Sequence, residues 1–167
     1  MTSSKSITAD RPIACLICIS LTTQPLGHDT TSDAGALLLA ATLPEANLVA
    51  VNVNYPSSYS ALAASAILAH YGKGHVPIGI PRPLTNDTFF DDWCFELGEY
   101  ASKIAYHFSA GNLPWGRADD AWDPVALYRN TLAEADDGSV TIVSIGFLDN
   151  VCISFLRIPF LSPSPTD

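Results

Sequence analysis

Positive charge is scarce in this chain. Eight Lys and Arg stand against 17 Asp and Glu, for a formal net charge of -9 over 167 residues. The few cations are scattered, so no basic stripe exists for a phosphate backbone, and no nucleic-acid partner is expected. Long apolar runs are missing as well. No stretch reaches the roughly 18 apolar residues that a bilayer-spanning helix needs, so no membrane partner is expected. Glycine-rich signatures are also absent: there is no dinucleotide fingerprint and no phosphate loop, and Gly27 alone cannot cradle a pyrophosphate. No GxSxG elbow occurs. These absences argue against a nucleotide-cofactor dehydrogenase and an ordinary esterase.

Cysteine is too sparse for a disulfide framework. Cys15, Cys18, Cys94 and Cys152 are spread over a long, apolar chain. "CLIC" has CxxC spacing, yet it lies inside an apolar run with no second pair and no flanking aromatic or proline. Its cysteines read as small buried hydrophobes rather than a redox or zinc pair.

What is present is core-forming material. Hydrophobic residues make up 48% and charged residues 15%, which describes a globular chain of one domain. Residues 1–11 read as an N-terminal tail, 12–150 as the domain and 151–167 as a divergent C-terminal tail ending in a proline–serine stretch. Lys5 and Arg11 before "PIACLICIS" give the N-terminus two readings, a signal-peptide core or a first strand. Asp10 and the want of a nearby small-x-small cleavage site favour the strand, and with it a cytoplasmic over a secreted protein. "NDT" at Asn86 is a glycosylation sequon only in the secreted case.

Periodicity divides the domain into alternating elements. Ile13–Ser20 is β-branched and apolar, a strand buried on both faces. "AGALLLAATL" follows as a helix capped by Thr31, Ser32 or Asp33 and closed by Pro44. "NLVAVNVN" alternates Val49, Val51 and Val53 with Asn52 and Asn54 as a second strand. An alanine-rich helix, started by Ser57 or Ser58, stops at Gly72. "HVPIGI" is a third strand, "WCFELGEYASKIAYHF" a helix, and "DPVALYRNTLAEAD" a helix opened by Asp123 and Pro124. "SVTIVSIGF" is a fourth buried strand. The order β-α-β-α-β-α-α-β predicts an α/β fold, an open and mostly parallel sheet with flanking helices.

Three segments of this pattern carry a family likeness: "SDAGALLLAATLPEANLVAVNVNYPSSYSALAASAILAHYG", "VPIGIPRPL" and "VTIVSIGFLDN", together spanning about residues 32 to 150. The chain resembles the inosine/uridine-preferring nucleoside hydrolases, the fungal branch in particular. The resemblance implies hydrolysis of the N-glycosidic bond of ribonucleosides to base and ribose. It also implies a nucleoside-hydrolase-like sheet, of which this chain would be the N-terminal half, and it allows a homo-oligomer. In that family an aspartate-rich loop after the first strand holds one Ca2+. The ion binds the ribose diols and the attacking water, and an aspartate takes the water's proton.

Carried over residue by residue, the resemblance puts Asp33 on the last calcium aspartate of that loop, with Ser32 in the place of its partner. Read without gaps, the earlier aspartates fall near Gln24, Leu26 and Thr30; a gapped register sets Gly27 to Asp29 on the loop's glycine and first acid, making Asp29 a second ligand. Asp29 and Asp33 are thus the acids left for catalysis as well. The carbonyl of Asp149 matches a main-chain calcium ligand, although Phe147 and Asp149 replace the family's Pro and Thr. Asn54 lies near an asparagine that contacts substrate. The family's last calcium aspartate and its neighbouring histidine have no counterpart. Calcium takes about 6–8 oxygens, so a weak or lost calcium site is expected, in a truncated or degenerate member. A non-catalytic binding protein that retains the fold is the alternative.

The remaining polar residues have plainer readings. His70, at a helix end, suits the helix dipole; His75 reads as a solvated turn residue, His107 as a helix-surface residue, and His28 alone among the histidines follows a strand. Asp91–Asp92 and Asp119–Asp120 fit helix starts, and Trp93, Trp115 and Trp122 read as core and loop packing before base stacking.

Overall fold

The computed structural model of the chain describes residues 13–19, 30–86 and 100–146. Four strands form one sheet: β1 (Ile13–Ile19), β2 (Ala46–Val53), β3 (Ile78–Gly79) and β4 (Val140–Ser144), in the order β3-β2-β1-β4. All three pairings are parallel. Helices α1 (Thr30–Thr42), α2 (Ser58–His70), α3 (Tyr100–Phe108) and α4 (Pro124–Ala133) make the connections. The fold is α/β, as the element order requires.

The sheet is covered unequally. One face carries Ile17, Ile19, Val51, Val53 and Ile78, packed against Leu37, Ala40 and Ala41 of α1 and Leu62 and Leu68 of α2. In α2 every residue from Ser60 to Ala66 is buried, because the sheet covers one side and α3 packs behind it. The other face carries Leu16, Cys18 and Ala50 under Leu127 and Tyr128 of α4. β1 is buried on both faces from Leu16 to Ile19. The odd spacing of Cys15 and Cys18 sends them to opposite faces, Cys15 with the α1/α2 layer and Cys18 with α4. They cannot pair.

Local chemistry sets the helix ends. Gly72 adopts φ 72°, its N–H donates to Ala69 O at 3.1 Å, and Lys73 N–H donates to Leu68 O at 2.8 Å. This is a Schellman stop, for which glycine is the favoured residue. Asp123 caps α4 by accepting from Ala126 N–H at 2.9 Å, with Pro124 in the first turn.

Three expectations are corrected. α1 is already helical at Thr30, so Asp33 sits in its first turn and is not its cap; a carboxylate there still favours the helix dipole. β3 has two residues, not six, and His75 lies in a turn before it. The helix read over 93–108 is described only from Tyr100. β4 is not buried on both faces: Thr141 and Val143 are exposed, because β4 is the last strand of the described sheet and lies to the side of the α1/α2 layer.

The segment read as a plain loop before α4 contains structure of its own. Ala118–Asp120 forms a 3-10 turn. Trp122 N–H then donates to Ile78 O at 2.9 Å and Ile80 N–H donates to Trp122 O at 2.9 Å, so this segment lines the outer edge of β3.

Candidate functional site at the carboxyl edge of the sheet

In an open parallel sheet, ligands bind beyond the carboxyl ends of the strands, where neighbouring connections leave to opposite faces. Here that point lies between β1 and β4. The chain leaves β1 for α1 on one face, whereas β4 is entered from α4 on the other. The edge is knitted by the backbone. Asn54 N–H donates to Ile19 O at 2.8 Å, and Ile145 N–H donates to Cys18 O at 3.1 Å. Next to them, Ser58 N–H donates to Thr85 O and Thr85 N–H to Pro56 O, both at 2.8 Å, tying the segment after β3 to the start of α2.

Of the residues singled out in the sequence, Asp33 and Asn54 fall at this edge. Asp33 is half-buried in the first turn of the helix that follows β1, and Asn54 is buried at the end of β2. Asp29 and Asp149 lie outside the described residues, as do His28, Trp93, Cys94, Asp91 and Asp92. Asp33 is therefore the one carboxylate of the expected calcium set whose side chain is described. Among the described residues no three His, Cys, Asp or Glu side chains come together. Asp33 by itself supplies too few oxygens for a calcium ion, which takes about 6–8.

The other candidates lie apart from the edge or are spoken for. His70, His75 and His107 are exposed. Asp119 and Asp120 do not start α4; they form the 3-10 turn, Asp119 facing Arg82 at 3.6 Å and Asp120 facing Arg117 at 2.8 Å. The Arg82 guanidinium also donates to the carbonyls of Asp119 and Ala121, at 2.9 and 3.0 Å, which holds the turn in shape. Trp115 stacks on Tyr59 and meets Tyr106 edge-on, centroids 6.1 and 5.3 Å away. Trp115 and Trp122 are both half exposed, so they are surface aromatics and not core.

One polar constellation was not anticipated. Ser144, Cys18, Asn52 and Gly79 stand in a single row across the four strands, and Tyr128 of α4 covers them. The strict alternation of "NLVAVNVN" puts Asn52 on a solvated face, but it is fully buried. A parallel strand covered by helices on both sides has no solvated face. Cys18 Sγ hydrogen-bonds Tyr128 Oη, and the Asn52 amide lies against the same hydroxyl. Asn52 Nδ2 also donates to Pro124 O at 3.3 Å. Asn52 Oδ1 has no partner and abuts Gly79, where a Cβ would overlap it and stand 3.1 Å from Pro124 Cα. Ser144 is close enough to pull the Cys18 thiol down slightly, yet its buried Oγ makes no hydrogen bond of ordinary geometry. Burial raises Cys18 above its usual value and Tyr128 well above its own, and their mutual contact raises Tyr128 further. Both are neutral at pH 7. The only sequence signal for this row was an asparagine inside a strand that is otherwise apolar.

No family model matches the chain, and no curated protein matches it at a significant level. The likeness to nucleoside hydrolases accordingly rests on the quoted segments. No helix among the described residues is long and apolar enough to cross a membrane.

Proposed function

We propose that this chain is a degenerate relative of the calcium-dependent nucleoside hydrolases, cleaving the N-glycosidic bond of ribonucleosides slowly, to base and ribose. The observation that supports this reading is the position of Asp33: a half-buried carboxylate in the first turn of the helix that follows β1, at the switch point of a parallel sheet. Asn54, buried at the neighbouring strand end, is the polar group offered to the ribose. The slow rate follows from the acid count. Asp29 and Asp33 supply two carboxylates and Asp149 one carbonyl, where about 6–8 oxygens are wanted. The water nucleophile is then poorly activated.

Ribose release from inosine and uridine, measured with calcium and with a chelator, tests this. Slow turnover that needs calcium and disappears in Asp33→Ala is the expected result. Absence of turnover with every ribonucleoside, at any calcium concentration, overturns it. The second reading is a non-catalytic binding protein that keeps the fold without the metal site, and it is motivated by Ser32 standing where the family has a calcium aspartate. It predicts ribonucleoside binding by calorimetry without ribose release.

A further inference from the structure

The two layers that cover the sheet differ in kind. α1 and α2, thirteen residues each, meet one face through aliphatic side chains, and α3 backs α2 from outside. α4 is ten residues long and covers the opposite face by itself among the described helices. Its buried residues are Pro124, Val125, Leu127 and Tyr128, of which Leu127 and Tyr128 pack on Leu16, Cys18 and Ala50. Docking α4 also buries Asn52 and leaves its Oδ1 without a partner. That oxygen regains water if the helix lifts, so lifting is easier than the buried area alone suggests.

The ends of α4 are suited to such a motion. At its start, Trp122 is hydrogen-bonded on both sides to β3 and serves as a fixed anchor, followed at once by the exposed Asp123 cap. At its end, the exposed turn 134–139 includes Gly138 at φ 72°, and β4 beyond it remains paired to β1. We propose that α4 is a detachable cover: it undocks as a unit, pivoting at Trp122, while α1 and α2 stay packed, and so opens the row Ser144–Cys18–Asn52 beside the carboxyl edge. Proteins open in cooperative pieces of unequal stability, and the elements with the fewest buried apolar contacts open first.

β1 carries a reporter for each face. Cys15 lies under the α1/α2 layer and Cys18 under α4. In the full chain with Cys94→Ser and Cys152→Ser, we would label the thiols with iodoacetamide under native conditions. The sulfur–carbon bond forms, iodide leaves and the thiol proton passes to buffer. Site-resolved mass spectrometry then gives the two rates. Undocking of α4 predicts that Cys18 is labelled faster than Cys15, although Cys18 is fully buried and Cys15 is 9% exposed. Equal rates, the mark of global opening, or a faster Cys15, would overturn the proposal. Tyr128→Phe removes the hydroxyl that joins Cys18 to Asn52, and is expected to speed Cys18 labelling by about tenfold with the Cys15 rate unchanged. Amide exchange offers an independent reading without substitutions: residues 127–133 should exchange faster than 61–68 in dilute denaturant and converge with them only near the unfolding transition. Exchange at a common rate throughout would also count against it.

Discussion

The two faces of the sheet solve one problem differently. Each must bury the side chains of parallel strands, yet one does so with aliphatic residues under two helices and the other with a polar row under one. On the first face, every contact adds favourable burial. On the second, part of the gain is offset by the desolvation of Asn52 and Ser144. The lesson is that occlusion and stability are separate quantities: Cys18 and Ile17 are both occluded, but one lies under a single helix beside unpartnered polar atoms and the other under two helices that meet it with aliphatic side chains.

Four perturbations sharpen or break this contrast. The largest effect belongs to the aliphatic face. Leu37→Ala would leave a cavity between α1 and the sheet and should cost about 2–5 kcal/mol in denaturant unfolding; a cost under 1 kcal/mol would mean that the two layers are not so different. Gly79→Ala drives a methyl group into Asn52 Oδ1 and towards Pro124, an overpacking expected to cost about 1–3 kcal/mol. It should also loosen α4 more than α2, as read by amide exchange. Asp123→Ala removes the α4 cap and should cost roughly 1 kcal/mol, with the loss confined to α4. Arg117→Ala breaks an exposed pair with Asp120 and should change stability by no more than about 0.5 kcal/mol.

Alkaline pH titrates buried groups on both faces. Cys18 and Tyr128 have folded-state values above their ordinary 9.0 and 10.0 because burial disfavours their anions. Cys15 and Tyr100 are raised for the same reason. Below the ordinary values both states are protonated and no stability depends on these groups. Above about pH 9, the unfolded chain loses protons that the folded chain keeps, so stability falls as pH rises. Thermal unfolding followed from pH 7 to 11 should show this decline, and Tyr128→Phe should make it shallower. A melting temperature indifferent to pH over that range would contradict the burial of these groups.

Most of the fold was legible in the sequence because its elements are punctuated. Pro44, Gly72 and the Asp123–Pro124 pair end or start helices through backbone chemistry that needs no tertiary partner, and the structure observes each of these boundaries to within a residue or two. What was not legible depended on neighbours distant in the chain. The alternation of Asn52 and Asn54 resembles a half-solvated strand until α4 arrives, some seventy residues later in the chain, to cover it. The length of β3 and the pairing of Trp122 depend on a segment whose composition looks like ordinary loop. The exposure of β4 follows from its place at the end of the sheet, and "SVTIVSIGF" cannot encode its own position. At the site, Asp33 and Asn54 could be named from the likeness to nucleoside hydrolases. The polar row could not, since its members come from four strands and a helix with no shared motif.

The backbone pairing of Trp122 with β3 has one more consequence. It occupies the hydrogen-bonding groups on that side of the sheet, so a further strand cannot add there. Growth of the sheet by strand addition is thus blocked on its β3 side.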